Sequence, residues 1–162
     1  MRRLLALALV LGLAACSDPT HDAEIAALGP EAPGVPEGEL HRPGQPCRVC
    51  HDARGPGEPE LSAAGTVYAR EGALDPLAGV VVRLTDSAGR VVERRTNAVG
   101  TFLVEERDFA PVFPLFVELE HQGFKKRMIS RIGRDGGCGS CHPPTPDASH
   151  TLPVFLKEKN EP

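Results

Sequence analysis

The chain is expected to be all-β, a small antiparallel sandwich with loop-rich flanking segments. Three observations predict this. Short runs rich in β-branched residues alternate with period two between residues 63 and 131. Glycine- and Asp/Asn-containing turn signals separate those runs at short, even spacing. With no Trp, one Tyr and six Phe, the core must be built mainly from Val and Leu.

Each element follows from its residues. "AGTVYAR" (64–70) and "AGVVVRLT" (78–85) read as strands. Val80, Val82 and Leu84 share one face, and Val81, Arg83 and Thr85 the other. "DSAG" (86–89) turns the chain, and "RVVERRT" returns it as a hairpin. "NAVG" turns again into "TFLVE". Leu115, Val117 and Leu119 then alternate with Phe116, Glu118 and Glu120, before "HQG" turns into "FKKRMIS". "TLPVFL" (151–156) can close a sheet as a last strand. The block reads as a sandwich over 63–131, flanked by segments 47–62 and 132–150, with a terminal strand and tail at 151–162.

The N-terminus reads differently. "MRR" supplies positive charge, and the ten apolar residues "LLALALVLGL" are too few for a mature membrane span, so residues 1–15 read as an export signal. Removing them also removes Arg2 and Arg3, taking the formal charge from −4 to −6. An acidic chain is a poor nucleic-acid binder, because phosphate neutralisation needs a basic surface. Residues 16–46, and the habit continuing to 60, are crowded with proline and glycine and read as an unfolded tether. A helix at "HDAEIAAL" is conceivable, but eight residues alone are marginal in water. At about 5–6 Å × √n or about 3.1 Å per residue, such a tether would place Cys47 roughly 30 to 95 Å from Cys16.

Four of the five cysteines fall in two copies of one pattern, "CRVCH" (47–51) and "CGSCH" (138–142). In an exported protein Cys-x-x-Cys-His reads as a covalent c-type haem site. Two thiols about one turn apart add to the porphyrin vinyl groups, and the following histidine ligates iron. Cys47 and Cys50 would hold one haem with His51 on its iron, and Cys138 and Cys141 a second with His142. The thiols could instead make a four-thiolate zinc site or disulfides. Neither needs the histidines, and six scattered histidines would fall behind both pairs about once in nine hundred arrangements.

For the other side of each iron the candidates are Met128, His41, His121 and His150, with Met128 favoured as a sulfur ligand. Met128 would otherwise fill core. His21 is discounted for lying in the tether. Lys125, Lys126, Arg127, Arg131 and Arg134 form a basic cluster that suits haem propionates or an acidic partner, or is a solvated strand face. Gly133, Gly136, Gly137 and Gly139 would let backbone approach a porphyrin, or belong to an ordinary loop.

Three resemblances add to this. "LAAC" resembles a bacterial lipobox, which implies lipidation at Cys16 and a membrane anchor facing the periplasm. Ser17 after the cysteine implies the outer membrane rather than the inner. "GTVY…LAGVVVRLTDSAGR…TNAVGTF" resembles the carboxypeptidase regulatory-like domains over about 64–130, which implies an immunoglobulin- or transthyretin-like sandwich. With both haem motifs, the chain resembles small dihaem c-type cytochromes with such a domain between the motifs. That implies electron transfer with redox partners of the cell envelope rather than catalysis. A haem enzyme such as a peroxidase, which needs an open iron with acid–base groups above it, and a zinc-bearing binding module are the alternatives.

Overall fold

The computed structural model describes residues 18–31, 34–35 and 37–157. Cys16, the export segment and the tail beyond Lys157 lie outside them. The described chain is mostly strand with little helix, and most strand pairs are antiparallel. β1 (Leu61–Thr66), β2 (Tyr68–Arg70), β3 (Val81–Thr85), β4 (Val91–Arg95), β5 (Thr101–Glu105), β6 (Phe116–His121) and β7 (Phe124–Arg127) arise from the alternating runs. β9 (Phe155–Lys157) is the closing strand. β8 (Gly136–Gly137) falls in a glycine run that carries no strand pattern.

One sheet runs β4-β3-β6-β7, entirely antiparallel. A second runs β5-β1-β8, and β2 pairs with β9. The β1–β8 and β2–β9 pairs are parallel, a departure from the all-antiparallel expectation. The core lies between the sheets. Val82, Leu84, Val117 and Leu119 from one meet Ala63, Phe102 and Val104 from the other. The expected faces are the observed ones: Val80, Val82 and Leu84 are at most 1% exposed, while Arg83 points to solvent. Each such Leu or Val contributes on the order of 1.5–3 kcal/mol by leaving water. The β3–β4 turn closes because the Asp86 carboxylate accepts from the N–H groups of Ala88 and Arg90, with Gly89 at φ 78°.

The tether expectation fails from residue 18 onward. Helix α1 (Pro19–Ala27) forms with Asp18 as its N-cap, accepting from the His21 N–H at 3.1 Å, and Pro in its first turn. Nine residues do not hold a helix alone. The Arg42 guanidinium, which donates to the Gly29 carbonyl at 2.8 Å, fastens the chain just beyond its C-terminal end. The following loop is pinned to the sandwich. Gly44 N–H donates to Thr66 Oγ1 at 2.7 Å, and Asn97 Nδ2 donates to the Glu39 carbonyl at 2.8 Å. Proline and glycine here shape a folded loop rather than a free linker. His21 is only 3% exposed, packed beside the first Cys-x-x-Cys-His segment, so its place along the chain is no ground for discounting it.

Candidate functional site

Each Cys-x-x-Cys-His copy opens with a single 3₁₀ turn, Cys47–Val49 and Cys138–Ser140. In the first, the Cys47 carbonyl accepts from the N–H groups of Cys50 at 3.2 Å and His51 at 3.0 Å. In the second, the Cys138 carbonyl accepts from Cys141 at 3.1 Å and His142 at 2.8 Å. The same backbone device thus sets two thiols one turn apart and the histidine directly after them, twice.

Both imidazoles are oriented the same way. His51 Nδ1 lies 2.9 Å from the Pro59 carbonyl oxygen, and His142 Nδ1 lies 2.5 Å from that of Leu152. A carbonyl only accepts, so Nδ1 donates in this arrangement, and the Thr151 hydroxyl 2.7 Å from His142 Nδ1 gives its own proton to the Cys141 carbonyl at 2.8 Å. Nε2 is then the nitrogen of each ring left to bind a metal. A metal-ligating histidine is held in the same way, its other ring N–H donated to a carbonyl. Return segments hold the geometry: Gly57 N–H donates to the Cys50 carbonyl at 2.8 Å, and Thr151 N–H to that of Cys141 at 2.9 Å.

The fold brings the two copies together although 91 positions separate Cys47 from Cys138. The first runs through its return loop into β1. The second is docked on β1 by β8, where Gly136 and Gly137 pair with Ala63 and Ala64. The glycines make the approach possible. A Cβ on Gly136 would sit 2.1 Å from the Ser62 carbonyl oxygen, and one on Gly139 would sit 2.6 Å from that of Gln45. Gly136 and Gly139 therefore press protein backbone against protein backbone. Arg48 of the first copy pairs with Asp135 just before the second, and donates through Nε to the Leu61 carbonyl at 2.7 Å.

All four thiols are free. Burial pushes the Cys47 thiol up. Burial, followed by the neighbouring Cys47 and Cys141, pushes Cys138 up to about 12. Such sulfurs are neutral thiols at physiological pH. Among the described residues no three His, Cys, Asp or Glu side chains converge as a metal ion would require, so the four thiols are not gathered into a zinc cage.

The other candidates are spread out. His41 stands over the first copy, its ring centroid 5.8 Å from that of His51. His150 sits on the loop that clasps the second copy, its Nδ1 2.7 Å from Asp147 Oδ1. His121 ends β6 opposite Phe124, in the other sheet. Met128 is half-buried against the sandwich core, the packing role open to it from the start. Sequence reasoning missed the acceptors Pro59 and Leu152, for which no local signal exists. Part of the basic cluster is ion-paired on the β6–β7 hairpin. Lys125 pairs with Glu120 at 3.2 Å and Arg127 with Glu118, while Lys126 lies 3.4 Å over the Phe155 ring and Arg131 4.9 Å over that of Phe116. It reads as a solvated strand face. No protein-family model, curated protein or solved structure matches the chain.

Proposed function

We propose that the chain is a dihaem c-type cytochrome that carries electrons in the cell envelope. The observation that supports this most is the paired orientation of His51 and His142, each with Nδ1 turned to a carbonyl and Nε2 left to bind a metal, directly behind two thiols one turn apart. The residues present fit haem c. Cys47 and Cys50 would add their S–H bonds across two vinyl groups of one porphyrin, forming thioethers, and Cys138 and Cys141 would do so on another. His51 and His142 would each supply one axial nitrogen. Haem, when bound, supplies an iron that accepts and releases a single electron. The protein's part is to fix the ligands, orient each imidazole through Nδ1, and hold both sites against one buried strand. Lipidation at Cys16 would anchor the protein to the periplasmic side of a membrane, the outer one by the Ser17 resemblance, and its partners would be redox proteins of the envelope. The carboxypeptidase-regulatory-like sandwich would then serve as scaffold.

The test is direct. Exported protein made with a haem-attachment system should stain for haem on a denaturing gel and gain two haem units of mass. Substituting Cys47 and Cys50 by Ser should remove one unit and leave the other. A colourless chain, or one carrying zinc, would overturn the reading.

A further inference from the structure

Resting on the dihaem reading, we infer that His41 is the second axial ligand of the haem held by Cys47 and Cys50, which makes that iron bis-histidine and six-coordinate. Three observations converge on this ring.

The first is spacing. The centroids of His41 and His51 are 5.8 Å apart, with the rings inclined at 40°. Two metal–imidazole bonds of about 2 Å each, with roughly 1 Å from each nitrogen to its ring centre, give about 6 Å. Stacked rings in contact would lie closer and flatter.

The second is orientation. His51 turns Nδ1 to the Pro59 carbonyl at 2.9 Å. His41 turns Nδ1 toward Glu31 Oε1 at 3.6 Å. In each ring the nitrogen nearest a protein acceptor is Nδ1, hydrogen-bonded in His51 and beyond hydrogen-bond distance in His41, so Nε2 is the nitrogen left for a metal.

The third is how the loop holds the ring. His41 Nδ1 is buried yet makes no hydrogen bond, so the ring is not held there by one through that nitrogen. The loop carrying it is nevertheless built. Arg42 adopts φ 51° and donates to Gln45 Oε1 at 3.0 Å, and the carbonyl of Glu39 is gripped by Asn97. A side chain is being presented by its backbone.

The other candidates fit this site less well. His21, whose two ring nitrogens are likewise buried without a hydrogen bond, is enclosed between the carboxylates of Asp52 at 3.6 Å and Glu24 at 3.7 Å. Met128 is packed on the core and His121 lies on the opposite sheet.

The experiment compares dihaem wild type with His41→Ala, His41→Gly and His41→Met by electron paramagnetic resonance and absorption, after the gel and mass confirm two haems. In His41→Ala one haem of the two should turn from low-spin to high-spin, with loss of the corresponding low-spin signal. Added imidazole should restore that signal in His41→Gly. Should the small variants fail to mature, His41→Met keeps a ligand in place and should gain a sulfur–iron charge-transfer band. His121→Ala and Met128→Ala should leave the first haem low-spin. If the His41 variants retain both low-spin signals undiminished, or if the first haem is already high-spin in wild type, the assignment of His41 is wrong while the dihaem reading stands. If wild type carries no haem, the dihaem reading itself has failed.

Discussion

Removing the proton from Cys138 should unlock the haem-free chain but leave the haem-attached one untouched. The thiol packs against the sandwich core, and burial, then the neighbouring Cys47 and Cys141, raises it from 9.0 to about 12. In the unfolded chain it would titrate near 9.0. Between those values the unfolded state has lost a proton that the folded state still holds, so folding stability is full below about pH 9 and falls as pH rises toward 12. Each unit of separation corresponds to about 1.4 kcal/mol, so by about pH 10.5 the loss should be on the order of 2 kcal/mol. Urea unfolding of the haem-free chain at about pH 8 and pH 10.5, alongside Cys138→Ala, isolates the effect. The variant carries a pH-independent packing cost but no thiol, so its stability should change less by that same amount. Attachment to haem turns the sulfur into a thioether with no proton to lose, and the holoprotein should lack this alkaline step. Parallel loss of stability in wild type and variant would show that the thiol is not held against the core.

Two further outcomes follow from the packing. Leu84→Ala removes a side chain 1% exposed between the sheets and should cost about 3 kcal/mol, read as a lower urea midpoint with both haems still attached. Gly136→Val would put a Cβ 2.1 Å from the Ser62 carbonyl, where only backbone movement can relieve it, so β8 should part from β1 at a cost of about 1–3 kcal/mol. Both haems should still attach, but a redox titration should show weaker interaction between them, and an unchanged titration would count against contact through β1.

Much of the sandwich was legible because its signals are local. Val82 and Leu84, or Val117 and Leu119, declare their face by period two whatever they pack against. The two Cys-x-x-Cys-His copies were legible for the same reason, since the motif is complete within five residues. What the sequence hides is non-local. β8 consists of Gly136 and Gly137, which have no side chains to show a period, and it exists because β1 offers free edge groups. α1 has its cap residues in plain view, Asp18, Pro19 and Gly29, yet its anchoring depends on Arg42 reaching back across the loop. His21 looked remote by chain count, but the fold returns it to Asp52. The carbonyls that orient His51 and His142 could not be named in advance, because any backbone could have supplied them.

The sharing of β1 bears on what the sandwich contributes to the proposed function. Every residue of β1 is buried, and its pairing with β5 spans the strand from Leu61 to Thr66. The first Cys-x-x-Cys-His copy leads into this strand through its return loop, and the second follows directly on β8, which lies parallel beside it. β8 lies about 4.8 Å from β1, so the offset between the copies is set by how they dock on this strand rather than by linker length. A pair of sites joined only by the 91-residue span of chain would sample many separations, and electron exchange between them would be slowed by the search. Docked on one buried strand, and bridged by the Arg48–Asp135 pair, the sites keep a single separation at no further entropic cost. In this reading the sandwich needs no ligand of its own. It holds two redox sites at one fixed offset, and the intervening β2–β7 segment can vary in sequence as long as β1 stays buried and Gly136 stays a glycine.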